Sequence, residues 1–168
     1  MKGFIISNIR FNDKNIANEM GLSVEAYNKM LIDKWNSVVA AENEVFVYGV
    51  FGIGLRREMR EIISQLKGKI YIMEGKANKF TKEEFLSFGV IRCWNIGLKY
   101  CKSDNDELFC TNKIDGLTCK LGTKDCKEVF KDNILSIEAK YWDYTPVRIE
   151  ELPNIVNRLR KFEAMEEI

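Results

Sequence analysis

Gly3-Phe4-Ile5-Ile6-Ser7-Asn8-Ile9-Arg10-Phe11-Asn12-Asp13-Lys14-Asn15-Ile16 opens the readable part of the chain, and the change of character inside it decides the fold. Gly3–Ser7 is a short apolar run of strand length, and everything after Ser7 is polar or interrupted. The same transition recurs twice. Glu44–Tyr48 runs into Gly49-Val50-Phe51, and Lys69–Met73 runs into Glu74-Gly75-Lys76-Ala77-Asn78. Between these strands lie helical periodicities. Residues 23–39 carry Val24, Tyr27, Met30, Leu31, Trp35 and Val38 at three- and four-residue spacings behind a Ser23 cap. Residues 55–66 carry Met59, Ile62, Ile63 and Leu66, and Gly68 ends that helix. Strands alternating with helices predict right-handed crossovers and a largely parallel sheet. Ligands of such sheets bind at the carboxyl ends of the strands, so the three segments just quoted are where chemistry is expected.

The second half reads differently. A short helix over 81–86 is followed by apolar runs at 90–94, 98–101, 108–111 and 134–141, separated by Gly, Asn and Asp, which predicts a second, more antiparallel sheet. Residues 113–131 are polar, lysine-rich and aperiodic, and read as loop with one short strand at most. A last helix is expected from Glu151, with Pro153 in its first turn and Val156, Leu159 and Phe162 on one face.

Composition restricts the functions open to such a domain. The 168 residues suit one α/β domain, and 26 basic against 25 acidic residues call for neither a nucleic acid nor any other polyanionic partner. The apolar run at 4–6 is too brief for a signal-peptide core or a membrane span, and five cysteines without a Cys-x-x-Cys pair read as reduced, packed thiols; a cytoplasmic protein is expected. The chain has no histidine at all, which removes the usual general base, the usual zinc ligand and histidine-assisted nucleophiles together.

The three strand-end segments together resemble the small bacterial branch of the calcineurin-like metallophosphoesterases. In that family the first strand ends in Ser-Asp-x-His-Phe-x-His-x-Asn-Ile, the second in Gly-Asp-Phe and the third in Gly-Asn-His-Asp. Asn8 stands where the family has a metal-binding Asp and Arg10 where it has a metal-binding His. Val50 stands at the bridging Asp, Lys76 at the ligand Asn, Ala77 at the catalytic His and Asn78 at the acidic residue after it. Cys110-Thr111-Asn112 fits the later Thr-His, with Asn112 in place of the histidine, and Gly122-Thr123-Lys124-Asp125 is all that stands for the Gly-His-x-His segment. Landmarks around the site are kept in order: Trp35-Asn36-Ser37-Val38-Val39, Leu66-Lys67-Gly68-Lys69 and Tyr141-Trp142-Asp143-Tyr144-Thr145-Pro146-Val147. The resemblance implies an α/β fold of two mixed β-sheets packed as a sandwich and flanked by helices.

Two cations held by Asp, His and Asn would bind phosphate oxygens and generate a hydroxide in such a site. Val50 cannot bridge metals, Asn8 offers only a neutral oxygen, and Arg10 and Lys76 bring fixed positive charge to the metal positions. The resemblance therefore implies no catalytic residue, no metal and no cofactor. It leaves a protein that binds, either a phosphate-containing or other anionic small molecule through Arg10 and Lys76 or another protein through its surface. In a purely structural arrangement those two cations are instead neutralised by Asp13, Glu74 or Asp125. The rival reading is an active phosphomonoesterase or phosphodiesterase with a site rebuilt from Asp13, Asp125, Glu74 or Asp143. Two other patterns weigh less. Gly49-Val50-Phe51-Gly52-Ile53-Gly54 lacks the spacing of a phosphate loop, and Cys110, Cys119 and Cys126 lack a fourth zinc ligand, so packing is the ordinary account of both.

Overall fold

A computed structural model describes residues 3–73, 78–94, 101–104, 107–110, 118–120, 130–131, 134–152, 154–155 and 158. Four strands form the parallel heart of the fold: β1 (Gly3–Ser7), β2 (Glu44–Tyr48), β3 (Lys69–Met73) and β4 (Arg92–Trp94) lie side by side in that order. Helices fill the crossovers, with α1 (Lys14–Glu19) and α2 (Val24–Val38) before β2, α3 (Arg56–Gln65) before β3, and α4 (Lys82–Ser87) before β4. A second five-stranded sheet holds β5 (Cys101–Asp104), β6 (Glu107–Cys110), β7 (Thr118–Lys120), β8 (Phe130–Lys131) and β9 (Ile134–Ser136) in the order β5-β6-β7-β9-β8. The chain then returns to the first sheet as β10 (Val147–Arg148), antiparallel to β1 at its edge.

Period-two alternation along the strands sends Phe4, Ile6, Val45, Val47, Ile70 and Ile72 to one face. There they pack with Tyr27, Leu31 and Trp35 of α2 and Met59, Ile62 and Ile63 of α3 in a single buried cluster. Ile5 and Phe46, on the opposite face, are buried too, so the central strands are covered on both sides, as parallel strands require.

The first half of the chain matches its sequence reading except for α1, and the second half departs from it in three places. Residues 92–94 join β3 in parallel, in the first sheet, although the run at 90–94 reads as the start of the second. Ile91 N–H donates to the Ile70 carbonyl, which draws the strand after α4 onto β3. Of the expected 134–141 strand, Ile134–Ser136 forms β9 and Glu138 makes a single parallel bridge to Ser7. Ala139–Trp142 turns into a 3-10 helix, and Trp142 Nε1–H reaches back to the Ser136 carbonyl at 2.9 Å. The stretch over 113–131 holds parts of two strands, β7 and β8. The short α1 has no apolar period to reveal it and is organised by Asp13, treated below. Pro153 and the face made by Val156, Leu159 and Phe162 lie outside the described residues, while Leu152, Asn154, Ile155 and Arg158 are helical. Among the described residues no helix is long and apolar enough to cross a membrane.

The start of α4 is a capping box. Thr81 Oγ1 accepts from the Glu84 N–H and Glu84 Oε2 accepts from the Thr81 N–H at 2.8 Å, while Arg56 pairs with Glu84 from α3. The Thr81 backbone bond first, and then Arg56, hold the Glu84 carboxyl below its ordinary value of 4.5. A lowered folded value means that its contribution is present above pH 4.5 and lost as pH falls through that lowered value. Urea titrations at neutral and strongly acid pH are therefore expected to show a smaller acid loss for Glu84→Gln than for the wild type. Equal losses would separate the box from acid sensitivity.

Candidate functional site

The loops after β1 and β2 zip together beyond the ends of their strands. Asn8 N–H donates to the Tyr48 carbonyl, Arg10 N–H to Val50, Phe11 N–H to Phe51, and Ile53 N–H returns to Phe11 at 2.9 Å. To keep this pairing, Asn8, Arg10 and Asn12 adopt φ values of 50°, 56° and 61°, alternating with fully buried Ile9 and Phe11. The alternation sinks the apolar residues and leaves the polar ones partly exposed above the strand ends. Left-handed backbone at an arginine costs about 1–2 kcal/mol, so three such residues in five point to a segment shaped for its side chains.

Those side chains are spent on the loop itself. Asn8 Oδ1 accepts from the Val50 N–H at 2.9 Å. Asn78 spans the same loop, its Oδ1 accepting from Phe51 N–H at 3.0 Å and its Nδ2 donating to the Gly49 carbonyl at 2.8 Å. Both amide oxygens thus point at backbone donors and act as clips. Val50 is half-buried and contributes only its backbone to these bonds.

Arg10 Nη1 lies 3.1 Å from Asp13 Oδ2, with the arginine side chain 43% exposed and that of Asp13 8%. Asp13 also caps α1, its Oδ1 accepting from the N–H groups of Asn15 and Ile16 at 3.0 and 3.3 Å. One buried carboxylate thus answers the arginine and starts the helix, which leaves it badly placed to serve a rebuilt metal site. Asp143, another carboxylate of that reading, is exposed and paired with Lys34 of α2. Lys76, Ala77, Asn112, Glu74 and Asp125 lie outside the described residues, and with them the convergence of Arg10 and Lys76. Among the described residues no three of His, Cys, Asp and Glu come together as a metal-holding group. The donor set that is placed, two clipped amides, a valine and an arginine, does not fit a metal pair.

Two tyrosines stand behind Arg10 and Asp13, and sequence reasoning did not single them out as site residues, because Tyr27 falls on the core face of α2 and Tyr144 within the landmark segment 141–147. Tyr27 is fully buried, donates to the Ile9 carbonyl at 3.2 Å and meets Tyr144 edge to face at 6.2 Å. Tyr144 follows Asp143, and both have left-handed backbone at φ 55° and 51°. Burial first, then Tyr144 and Asp13, push the Tyr27 hydroxyl far above its ordinary value of 10, with Arg10 opposing. A raised folded value means that the stabilisation is complete below pH 10 and is lost as pH climbs above it. Alkaline unfolding followed by tryptophan fluorescence should therefore steepen above pH 10, and Tyr27→Phe should flatten that limb while lowering stability at neutral pH by about 1 kcal/mol for the lost hydrogen bond. An unchanged alkaline limb would remove Tyr27 as its source. Cys93 is buried, in keeping with packing.

No known family model matches the chain. The chain is 32% identical over 120 residues to the uncharacterized protein MJ1445 of Methanocaldococcus jannaschii, a match that covers 68% of this chain and 65% of that one. It therefore spans just under two thirds of the relative's length. In three dimensions the chain is similar to the crystal structure of the protein of unknown function AQ665 from Aquifex aeolicus, with a TM-score of 0.61 at 12% identity over 92% of this chain and 98% of that one. At that identity the likeness is one of fold.

Proposed function

We propose that this is a catalytically inactive member of the calcineurin-like metallophosphoesterase superfamily, built on that family's two-sheet sandwich, and that it works by binding an anion at the position where that family holds metal. The observation that carries the reading is the fate of the former ligand positions. Asn8 and Asn78 give their amide oxygens to the Val50 and Phe51 N–H groups, and Val50 occupies the bridging position with no side-chain atom that could ligate a metal. Arg10 is the group left with capacity. A guanidinium has five N–H donors, and Asp13 engages Nη1 alone, so donors remain for a phosphate or carboxylate at the strand ends. Lys76 joins Arg10 in this reading.

The test has two parts. Elemental analysis after dialysis against manganese is expected to find no stoichiometric metal, and phosphomonoester and phosphodiester substrates are expected to stay at background with manganese present. Inorganic phosphate, titrated calorimetrically, is expected to bind the wild type and to bind Arg10→Ala roughly tenfold more weakly, the loss of about 1.5 kcal/mol that a charge-assisted bond carries. One or two bound manganese ions, or turnover abolished by Asp13→Asn, would replace this reading with the enzyme. Phosphate binding that ignores Arg10→Ala would remove the anion site.

A further inference from the structure

We propose that the trough between α2 and α3 docks a basic, amphipathic segment of a protein partner. The trough encloses about 580 Å³ and starts at Asn12 and Gly54, directly beside the strand-end loops. Its apolar surface comes from half-buried Val24 and Ile32 of α2 and buried Ile62 of α3. Its walls are acidic on both sides, with Glu25 and Asp33 on α2 facing Glu58 and Glu61 on α3. Lys29 is the one cation among the described lining residues, and it is already paired with Asp33 of its own helix. The chain as a whole carries +1, so this excess of carboxylates is a local feature of the trough.

Hydrogen bonds also fix the end of the trough beside the strand-end loops. Asn12 N–H donates to Asn28 Oδ1 at 2.8 Å and Asn28 Nδ2 donates back to Asn12 Oδ1, tying the strand-end loop to α2. Glu58 Oε2 accepts from the Leu55 N–H at 3.0 Å and from Asn12 Nδ2, so its charge is held in place before any partner arrives. A side chain at Gly54 would meet both Glu58 and Asn12, at 2.7 and 3.0 Å, so the narrow end depends on that glycine.

Carboxylate walls over an aliphatic floor select arginine or lysine side chains, whose methylene stems cover apolar surface while their heads stay with the acids. Aliphatic residues between them would reach Ile32 and Ile62, as in helix-in-groove recognition. The inference does not depend on the anion site, which lies on other residues.

Fluorescence anisotropy with a short synthetic peptide of arginine and leucine at helical spacing tests it, against an arginine/serine peptide of equal charge and a glutamate/leucine peptide. The arginine/leucine peptide is expected to bind, more weakly as salt rises, and to shift the methyl resonances of Ile32 and Ile62. Glu25→Gln combined with Glu61→Lys, both at exposed positions, should weaken it roughly tenfold or more while leaving the melting temperature close to that of the wild type. Equal binding of the arginine/serine peptide would reduce the site to bulk charge and overturn the proposal. So would still methyls, or indifference to the double substitution. Self-association of the wild type that the double substitution abolishes would make a second copy of this chain the occupant instead.

Discussion

Gly49→Ala is expected to destabilise the protein by about 2–5 kcal/mol, which is large for the addition of one methyl group. Gly49 has φ 64°, where a Cβ is disfavoured by roughly 1–2 kcal/mol. The added carbon would also fall 2.1 Å from Asn8 Oδ1, far inside contact distance. Asn8 must then swing away, and the Val50 N–H that it holds at 2.9 Å loses its acceptor, at a further cost of about 1–3 kcal/mol. Urea unfolding of four proteins checks this: the wild type, Gly49→Ala, Asn8→Ala and the double variant. With Asn8 already shortened, the clash disappears and the glycine substitution should cost only its backbone conformation. A coupling of about 1 kcal/mol or more between the two sites is therefore expected. Strictly additive losses would mean that Asn8 does not clip the loop, and the case for a lost metal ligand turned structural would go with it.

Trp35→Ala is expected to cost about 3–5 kcal/mol, enough to bring a domain of ordinary stability close to unfolding. The indole is fully buried between the sheet and the helices, and its Nε1–H donates to the Lys67 carbonyl at 2.9 Å. Asn36 completes the attachment, donating to the Gln65 carbonyl and accepting from the Lys67 N–H, both at 2.8 Å. Trp35 and Asn36 thus hold the turn between α3 and β3, where Gly68 takes φ 93° and a side chain would strike Val39 at 2.8 Å. Trp35→Phe keeps most of the volume and loses the hydrogen bond, so it should cost clearly less than the alanine. Chemical denaturation of the two variants separates these contributions. A phenylalanine as damaging as alanine would show the hydrogen bond, and not the packed volume, to be decisive.

The same turn explains why two landmarks far apart in the sequence keep company. Trp35-Asn36 and Leu66-Lys67-Gly68 are recognisable as separate motifs, and the structure makes them the two halves of one contact. Local signals were similarly dependable for the caps. Ser23, read as a cap, accepts from the backbone three residues on, and Thr81, read only as the start of its helix, does the same. Where the sequence misled, the deciding partner was remote or the element too short for a period. Six residues of α1 carry no apolar stripe, and β4 is assigned to its sheet only by lying against β3.

Alternation, helical spacing and hydroxyl caps are properties of neighbouring residues, so the sequence alone determined the order of the strands and of the two longer helices through β3, the parallel sense of that sheet and the location of the strand-end loops. The absence of histidine and the placement of Val50 were likewise legible without coordinates. Only the tertiary structure decided how the residues of the strand-end loops are used. Whether Asn8 faces a metal or the Val50 N–H, 42 residues away, depends on how β1 and β2 align and on the left-handed turn after each. Asn78 likewise reaches Phe51 across 27 residues. Asp13 answers Arg10 because the start of α1 turns its carboxylate inward, and a hydrogen bond or ion pair of a few ångströms is fixed by that packing rather than by residue type.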